Sequence, residues 1–221
     1  MKKIDLFFSD KCNLSCEFCN SFFDRQPVKY SKVRNIIKDL AKEWVDYITW
    51  SGGDPLKYRF INKLLRYSKS LWIYNHVDSN WLAILTNDID LWYIDLLWLS
   101  LNEYTEKYIE KVLDKVNWKV KLKINTCLTN INKWKISKYH IIVKKYNIEK
   151  WSIYQFWSLW LDTRKSSHFA IDTKSYDSIL DTIIDHRIER RYIKDRVWVY
   201  DYITTSWQRL INNGRKYIKN I

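Results

Sequence analysis

Residues 3–20 read KIDLFFSDKCNLSCEFCN, an apolar run over 3–9 followed by a loop that carries Cys12, Cys16 and Cys19. The run has the length and apolar content of a buried strand. The loop spaces its thiols C-x3-C-x2-C. The chain has one other cysteine, Cys127. Cysteines clustered in this way, with no second set to pair with, point to metal or redox chemistry rather than a disulfide framework. Thiolates are soft ligands that select iron–sulfur clusters, and three on one short loop can bind three corners of a cubane while leaving one iron open. Zinc is the other reading. It generally takes four ligands, often as paired C-x2-C units; no second pair exists, and His76, His140, His168 and His186 are scattered. Cys127 reads as a small buried core residue, with ligation as the alternative.

Outward from this loop, apolar runs alternate with amphipathic stretches. Strands are predicted at 3–9, 45–50, 71–77, 95–101, 119–126, 149–156 and, last, 196–204. Helices are predicted at 31–44, 58–69, 103–116, 135–147 and 174–187. In the first of these Ser31 is a candidate N-cap, and Val33, Ile36, Ile37, Leu40 and Ala41 share a face. Strand–helix alternation implies a parallel sheet with right-handed crossovers. About six such units are too few for a closed eight-fold barrel. The expected fold is therefore α/β, a partial (β/α)6 TIM-type barrel. We expect one domain over 1–221, with a core at about 1–190 and a short extension over 191–221. Chemistry in such sheets sits at the C-terminal ends of the strands. The second strand ends in Ser51-Gly52-Gly53-Asp54-Pro55, a turn signal whose glycines permit close backbone approach.

The net charge is +13, from 38 Lys+Arg against 25 Asp+Glu. The lysines are spread along the chain, and the abundance of Lys, Asn, Ile and Tyr fits AT-rich coding, so the charge reads as a solvated surface and no nucleic-acid partner is expected. Lys119, Lys121 and Lys123 alternate along one strand and so share a face. That face could grip phosphate, but it too reads as solvated. No stretch is long and apolar enough for a signal h-region or a membrane span, so a cytoplasmic protein is expected.

CNLSCEFC (12–19) after a first strand, followed by GGDP (52–55) after a second, resembles the signature of the radical S-adenosylmethionine (SAM) superfamily, with Asp54 where Glu is usual. The resemblance implies a [4Fe-4S] cluster on Cys12, Cys16 and Cys19, and SAM as the second cofactor. It also implies SAM contacts from the region of Phe18 and from Ser51, Gly52, Gly53, Asp54 and Pro55. Weaker echoes add Asn80 (in Ser79-Asn80), Ser100 (in Ser100-Leu101-Asn102) and Asn125. Within the superfamily, KINTCLTNIN (123–132), EKWSIYQF (149–156) and HFAIDTKSYDSIL (168–180) are similar to viperin-like nucleotide dehydratases. The implied activity is reductive cleavage of SAM to a radical that abstracts hydrogen from a small-molecule or nucleotide substrate, fed by a flavodoxin- or ferredoxin-type electron donor. Rival readings are a 7-deazaguanine-type or a peptide-modifying radical SAM enzyme. Outside the class, a non-catalytic iron–sulfur module that binds nucleic acid would have no need of the GGDP turn.

The composition is odd. A chain of this length usually carries about 15 glycines; this one has 3, and 13 tryptophans. Trp81, Trp98, Trp160 and Trp207 stand where glycine would read naturally. This raises the expectation that UGA codons read as glycine have been rendered as tryptophan. The alternative is a chain genuinely rich in packing aromatics.

Overall fold

In a computed structural model, the described residues are 1–9, 11–19, 29–156, 167–193, 202–203, 208–212 and 216–220. They group into two compact units. The first comprises Met1–Asn13, Ser21–Trp98 and Trp198–Ile221; the second comprises Leu14–Asn20 and Leu99–Val197.

The first unit opens with β1 (Lys3–Ser9), α1 (Tyr30–Lys42), β2 (Tyr47–Gly52), α2 (Ile61–Ser70), β3 (Tyr74–Ser79) and the short α3 (Leu82–Thr86). The strand β4 (Leu96–Ser100) begins in this unit and ends in the second. β1 pairs in parallel with β2, and β2 with β3, so Asp5, Thr49 and His76 lie in one row. On the far side of β1 lies β8 (Tyr202–Ile203), again parallel. It is followed by an antiparallel ladder of β9 (Gln208–Asn212) and β10 (Lys216–Asn220). The helices form because their apolar residues recur at i, i+3, i+4 and i+7. α1 buries Val33, Ile36, Ile37 and Leu40, and α2 buries Ile61, Leu64, Leu65 and Ser68. Each fully buried aliphatic contributes about 1.5–3 kcal/mol. The sheet supplies the matching surface with Ile4, Leu6, Phe8, Ile48, Trp50 and Val77.

The second unit contains α4 (Ile109–Val116), β5 (Lys121–Leu128), α5 (Ile136–Lys145), β6 (Lys150–Gln155), α6 (Thr173–Asp181) and β7 (Ile188–Arg191). β5, β6 and β7 pair in parallel. α4 repeats the same spacing with Ile109, Val112, Leu113 and Val116.

The parallel α/β alternation is the one expected, with several departures, among them the unpredicted α3 and a helix expected over 103–116 that begins only at Ile109. β7, IERR, was not predicted, because its short run is half-buried throughout and carries no apolar alternation. α1 begins one residue early, with Lys29 at the N-cap, so Ser31 lies inside the helix and caps nothing. Beyond β8 the sheet continues antiparallel, where only one more strand was expected over 196–204, most of which lies outside the described residues.

Candidate functional site

The loop after β1 and the turn after β2 are bound to each other. Gly53 N–H donates to the Ser9 carbonyl at 2.7 Å, and Asp54 N–H to the Lys11 carbonyl at 2.8 Å. This closeness requires glycine at 52. Its φ is +125°, and a Cβ there would lie 2.3 Å from the Ser9 carbonyl oxygen. Ser51 is half-buried, and Pro55 is buried at the start of a single 3-10 turn.

Asp54 is fully buried. Its carboxylate accepts from Leu56 N–H at 3.0 Å and from the Ser79 hydroxyl at 3.0 and 3.2 Å. Burial pushes its pKa up to about 6; the hydrogen bonds from Ser79, Leu56 and Asn80 and the charge of Lys57 act the other way. Asp54 thus ties the end of β2 to the end of β3 instead of presenting its carboxylate to solvent. Ser79 Oγ also accepts from Trp81 N–H at 2.7 Å. Asn80 reaches the cysteine loop: its Nδ2 donates to Cys12 Sγ at 3.2 Å and to Asn13 Oδ1 at 2.7 Å. Lys57 Nζ donates to the Cys12 carbonyl at 3.1 Å. The first unit therefore gathers Cys12, Gly52, Gly53, Asp54 and Asn80 at the C-terminal ends of β1, β2 and β3.

Between Asn13 and Leu14 the chain passes into the second unit. There Cys19 N–H donates to the Cys16 carbonyl at 3.0 Å, closing a turn between the two cysteines. Phe18 packs against Tyr104 and Phe169, with ring centroids 5.8 and 6.1 Å away. Glu17 N–H donates to the Tyr104 hydroxyl at 3.3 Å. The Asn125 carbonyl accepts from Leu101 N–H at 2.8 Å, where β4 ends in the half-buried Ser100. Asn102 is a turn residue: its Oδ1 accepts from Tyr104 N–H at 2.9 Å. Cys127 lies on β5, half-buried, away from the loop in sequence.

None of the four cysteines is in a disulfide, and all are half-buried. Among the described residues, no three His, Cys, Asp or Glu side chains are gathered as a finished metal site. The donor set still suits an iron–sulfur cluster, since it is three soft thiols on one eight-residue stretch with Asn80 Nδ2 aimed at a sulfur.

Sequence reading missed a polar row across β1–β3. His76 is buried, with Nδ1 3.0 Å from the Tyr47 hydroxyl and 3.4 Å from Thr49 Oγ1, and Nε2 3.0 Å from Asp78 Oδ1. Burial also pushes the Asp5 pKa up to about 6, opposed by the charge of Lys3 and the hydrogen bond from Thr49. The signal was there in the polar residues at alternate positions of YNHVDS (74–79). On β5, Lys121 is exposed as expected, while Lys123 is half-buried with its pKa held below the usual lysine range by burial and then by Lys150.

The first unit has β1–β3 in parallel, as the second has β5–β7, with the cysteine loop and the GGDP turn at strand C-termini. Comparison with solved structures identifies this arrangement. SuiB of Streptococcus suis bound to S-adenosylmethionine matches with a TM-score of 0.69 at 15% identity, over 99% of this chain and 62% of that one.

The fold is an α/β partial barrel similar to that of SuiB.

The anSMEcpe structure with bound AdoMet and Cp18Cys peptide matches with a TM-score of 0.60 at 16% identity, over 82% of this chain and 58% of that one. TYW1 with a lysine-pyruvate adduct bound matches at 0.53 and 14%, over 77% and 68%. The chain thus spans about 62% of the length of SuiB. No family model and no curated protein sequence matches it. Among the described residues, no helix is long and apolar enough to cross a membrane.

Proposed function

We propose that this chain is a radical SAM enzyme that cleaves S-adenosylmethionine reductively. The observation that carries the reading is the joining of the segment that leads into CNLSCEFC to the GGDP turn at the strand ends, through Gly53–Ser9 and Asp54–Lys11 hydrogen bonds, on a partial barrel similar to that of SuiB. Cys12, Cys16 and Cys19 would hold three irons of a [4Fe-4S] cluster. When bound, that cluster supplies the electron that converts SAM to methionine and a 5′-deoxyadenosyl radical. Asn80 orients the Cys12 thiolate, and Gly52 allows the turn to lie against the loop without a side chain between them. Phe18, Ser51, Gly53, Asn80, Ser100 and Asn125 are the proposed SAM contacts, with Asp54 and Pro55 shaping the turn they border. A flavodoxin- or ferredoxin-type protein would deliver the electron.

For the substrate, the structural neighbours favour a peptide, since SuiB has been solved with precursor peptide SuiA and anSMEcpe with the Cp18Cys peptide. The viperin-like stretches favour a nucleoside triphosphate. The test is anaerobic reconstitution and measurement of 5′-deoxyadenosine formed from SAM and dithionite, with and without each triphosphate. Product that disappears in Cys16→Ala supports the class. Stimulation by one triphosphate selects the nucleotide, and product without stimulation keeps the class and discards that substrate. A protein that holds its cluster and yields no 5′-deoxyadenosine would sink the enzyme reading.

A further inference from the structure

Among the described residues, every non-glycine residue with positive φ is a tryptophan: Trp44 at 62°, Trp72 at 61°, Trp81 at 64° and Trp118 at 66°. Asn and Asp are the side chains that enter this region most readily after glycine, and a bulky aromatic gains nothing there. At 44, 72 and 118 the hydrogen bonds show a backbone motif that asks for glycine; at 81 the left-handed φ alone does.

Trp44 follows the C-cap of α1. Its N–H donates to the Ala41 carbonyl at 3.1 Å, and Val45 N–H donates to the Leu40 carbonyl at 3.0 Å. That pair of bonds is the Schellman motif, whose left-handed residue is usually glycine. α2 ends in the same way. Trp72 N–H donates to the Lys69 carbonyl at 3.0 Å, and Ile73 N–H donates to the Ser68 carbonyl at 3.3 Å. After α4, Asn117 has φ −54° and ψ 135°, Trp118 is left-handed, and Lys119 N–H donates to the Val116 carbonyl at 3.0 Å. This is a type II turn with Trp118 at the position that requires positive φ. Trp81 is left-handed at the N-cap of α3, directly after the Ser79-Asn80 pair.

Three of the four left-handed tryptophans also leave their rings in solvent, while Trp81 is fully buried. Trp44, Trp72 and Trp118 are 87%, 92% and 79% exposed. Trp50 and Trp151 have ordinary φ, are fully buried, and donate their indole N–H to Asn75 Oδ1 and Thr126 Oγ1, each at 2.9 Å. Trp50 and Trp151 use their rings in the core, whereas positions 44, 72 and 118 combine glycine backbone with a ring left in solvent.

We propose that positions 44, 72, 81 and 118 are glycine in the polypeptide made by the source organism, encoded by UGA codons that its ribosomes read as glycine, while Trp50 and Trp151 are true tryptophans encoded by UGG. The sequence pattern alone singled out Trp81, Trp98, Trp160 and Trp207. The backbone supports Trp81 and adds 44, 72 and 118. It makes no such demand at Trp98, which has ordinary φ on β4. Trp160 and Trp207 lie outside the described residues.

Tandem mass spectrometry of the protein from its source, read beside the gene, tests this directly. Glycine in the peptides spanning 44, 72, 81 and 118, over UGA codons, is the expected result. Tryptophan in those peptides overturns the proposal whether the codon is UGG or UGA. Thermal unfolding gives a second measurement that needs no source organism. A Trp44→Gly/Trp72→Gly/Trp118→Gly variant should melt roughly 5–10 °C above the tryptophan form, because three left-handed side chains are removed from exposed sites. Position 81 is left out, since removing a buried indole adds a cavity of its own. An equal or lower melting temperature would overturn the backbone argument.

Discussion

At Gly52 the backbone leaves no room for a side chain, because a Cβ would lie 2.3 Å from the Ser9 carbonyl oxygen at a φ of +125°. Any substitution must move Ser9 or rotate the 52–53 peptide, and either movement breaks the 2.7 Å bond from Gly53 N–H to Ser9. Gly52→Ala is therefore expected to cost about 3 kcal/mol, the sum of backbone strain and a lost buried hydrogen bond. For a chain of this size that is a fall in Tm of about 10 °C. Because Ser9 leads into the cysteine loop, the variant should also retain less iron after reconstitution than Gly53→Ala, whose φ is not in the positive range. Equal iron and an unchanged Tm would show that the loop and the turn are not coupled through this contact. Gly52 and the three cysteines of the loop were legible as residue types at a spacing. Asp54 was legible only as a member of the turn. Its burial and its bonds to Ser79 come from the approach of β3, which local sequence does not encode.

At the scale of elements, the strands and helices with strong periodicity were readable to within a few residues. The misses share a physical cause, which is that tertiary partners replaced local signals. β7 is held by its ladder to β6 and by Glu189, which accepts from the Ser152 hydroxyl at 2.7 Å and pairs with Arg191 at 2.8 Å. A helix predicted from 103 begins only at Ile109, because Asn102 and Thr105 bond each other and the local backbone and so favour a turn over a helix. Pinning of β2 to β3 by Trp50 was equally invisible. Its indole N–H donates to Asn75 Oδ1, while Asn75 Nδ2 donates to the Leu65 carbonyl at 3.0 Å and the Tyr93 carbonyl at 2.8 Å. Trp50→Phe keeps most of the apolar contact but leaves a buried amide oxygen without its donor. It should destabilise the chain by about 1–3 kcal/mol in urea unfolding, with the m-value unchanged. Restoring the loss with a second change, Asn75→Leu, is not expected, because the two carbonyls that Asn75 serves would then be orphaned.

For the whole molecule, folding raises the pKa of two carboxyls, the half-buried Asp5 and the fully buried Asp54, which the net charge of +13 does not reveal. Burial raises each from an ordinary 3.8 to about 6. A carboxyl raised by folding binds its proton more tightly in the native state than in the unfolded chain. Between about pH 4 and pH 6 the native state therefore holds more protons, and stability falls as pH rises through that window. The contribution is complete below pH 4 and gone above pH 6. From pH 4.5 to pH 7 each group should account for a loss of about 2 kcal/mol. Asp54→Asn isolates one of them, since the amide does not titrate and its Oδ1 can still accept from Leu56 and Ser79. The difference in unfolding free energy between variant and parent, measured at both pH values, cancels every other titration. Relative to the parent, the variant should gain about 2 kcal/mol on going from pH 4.5 to pH 7. A difference that does not change with pH would mean that Asp54 is already ionised at pH 4.5. In that case the hydrogen bonds from Ser79, Leu56 and Asn80, with the charge of Lys57, would outweigh burial, and the turn beside the cysteine loop would carry a fixed negative charge.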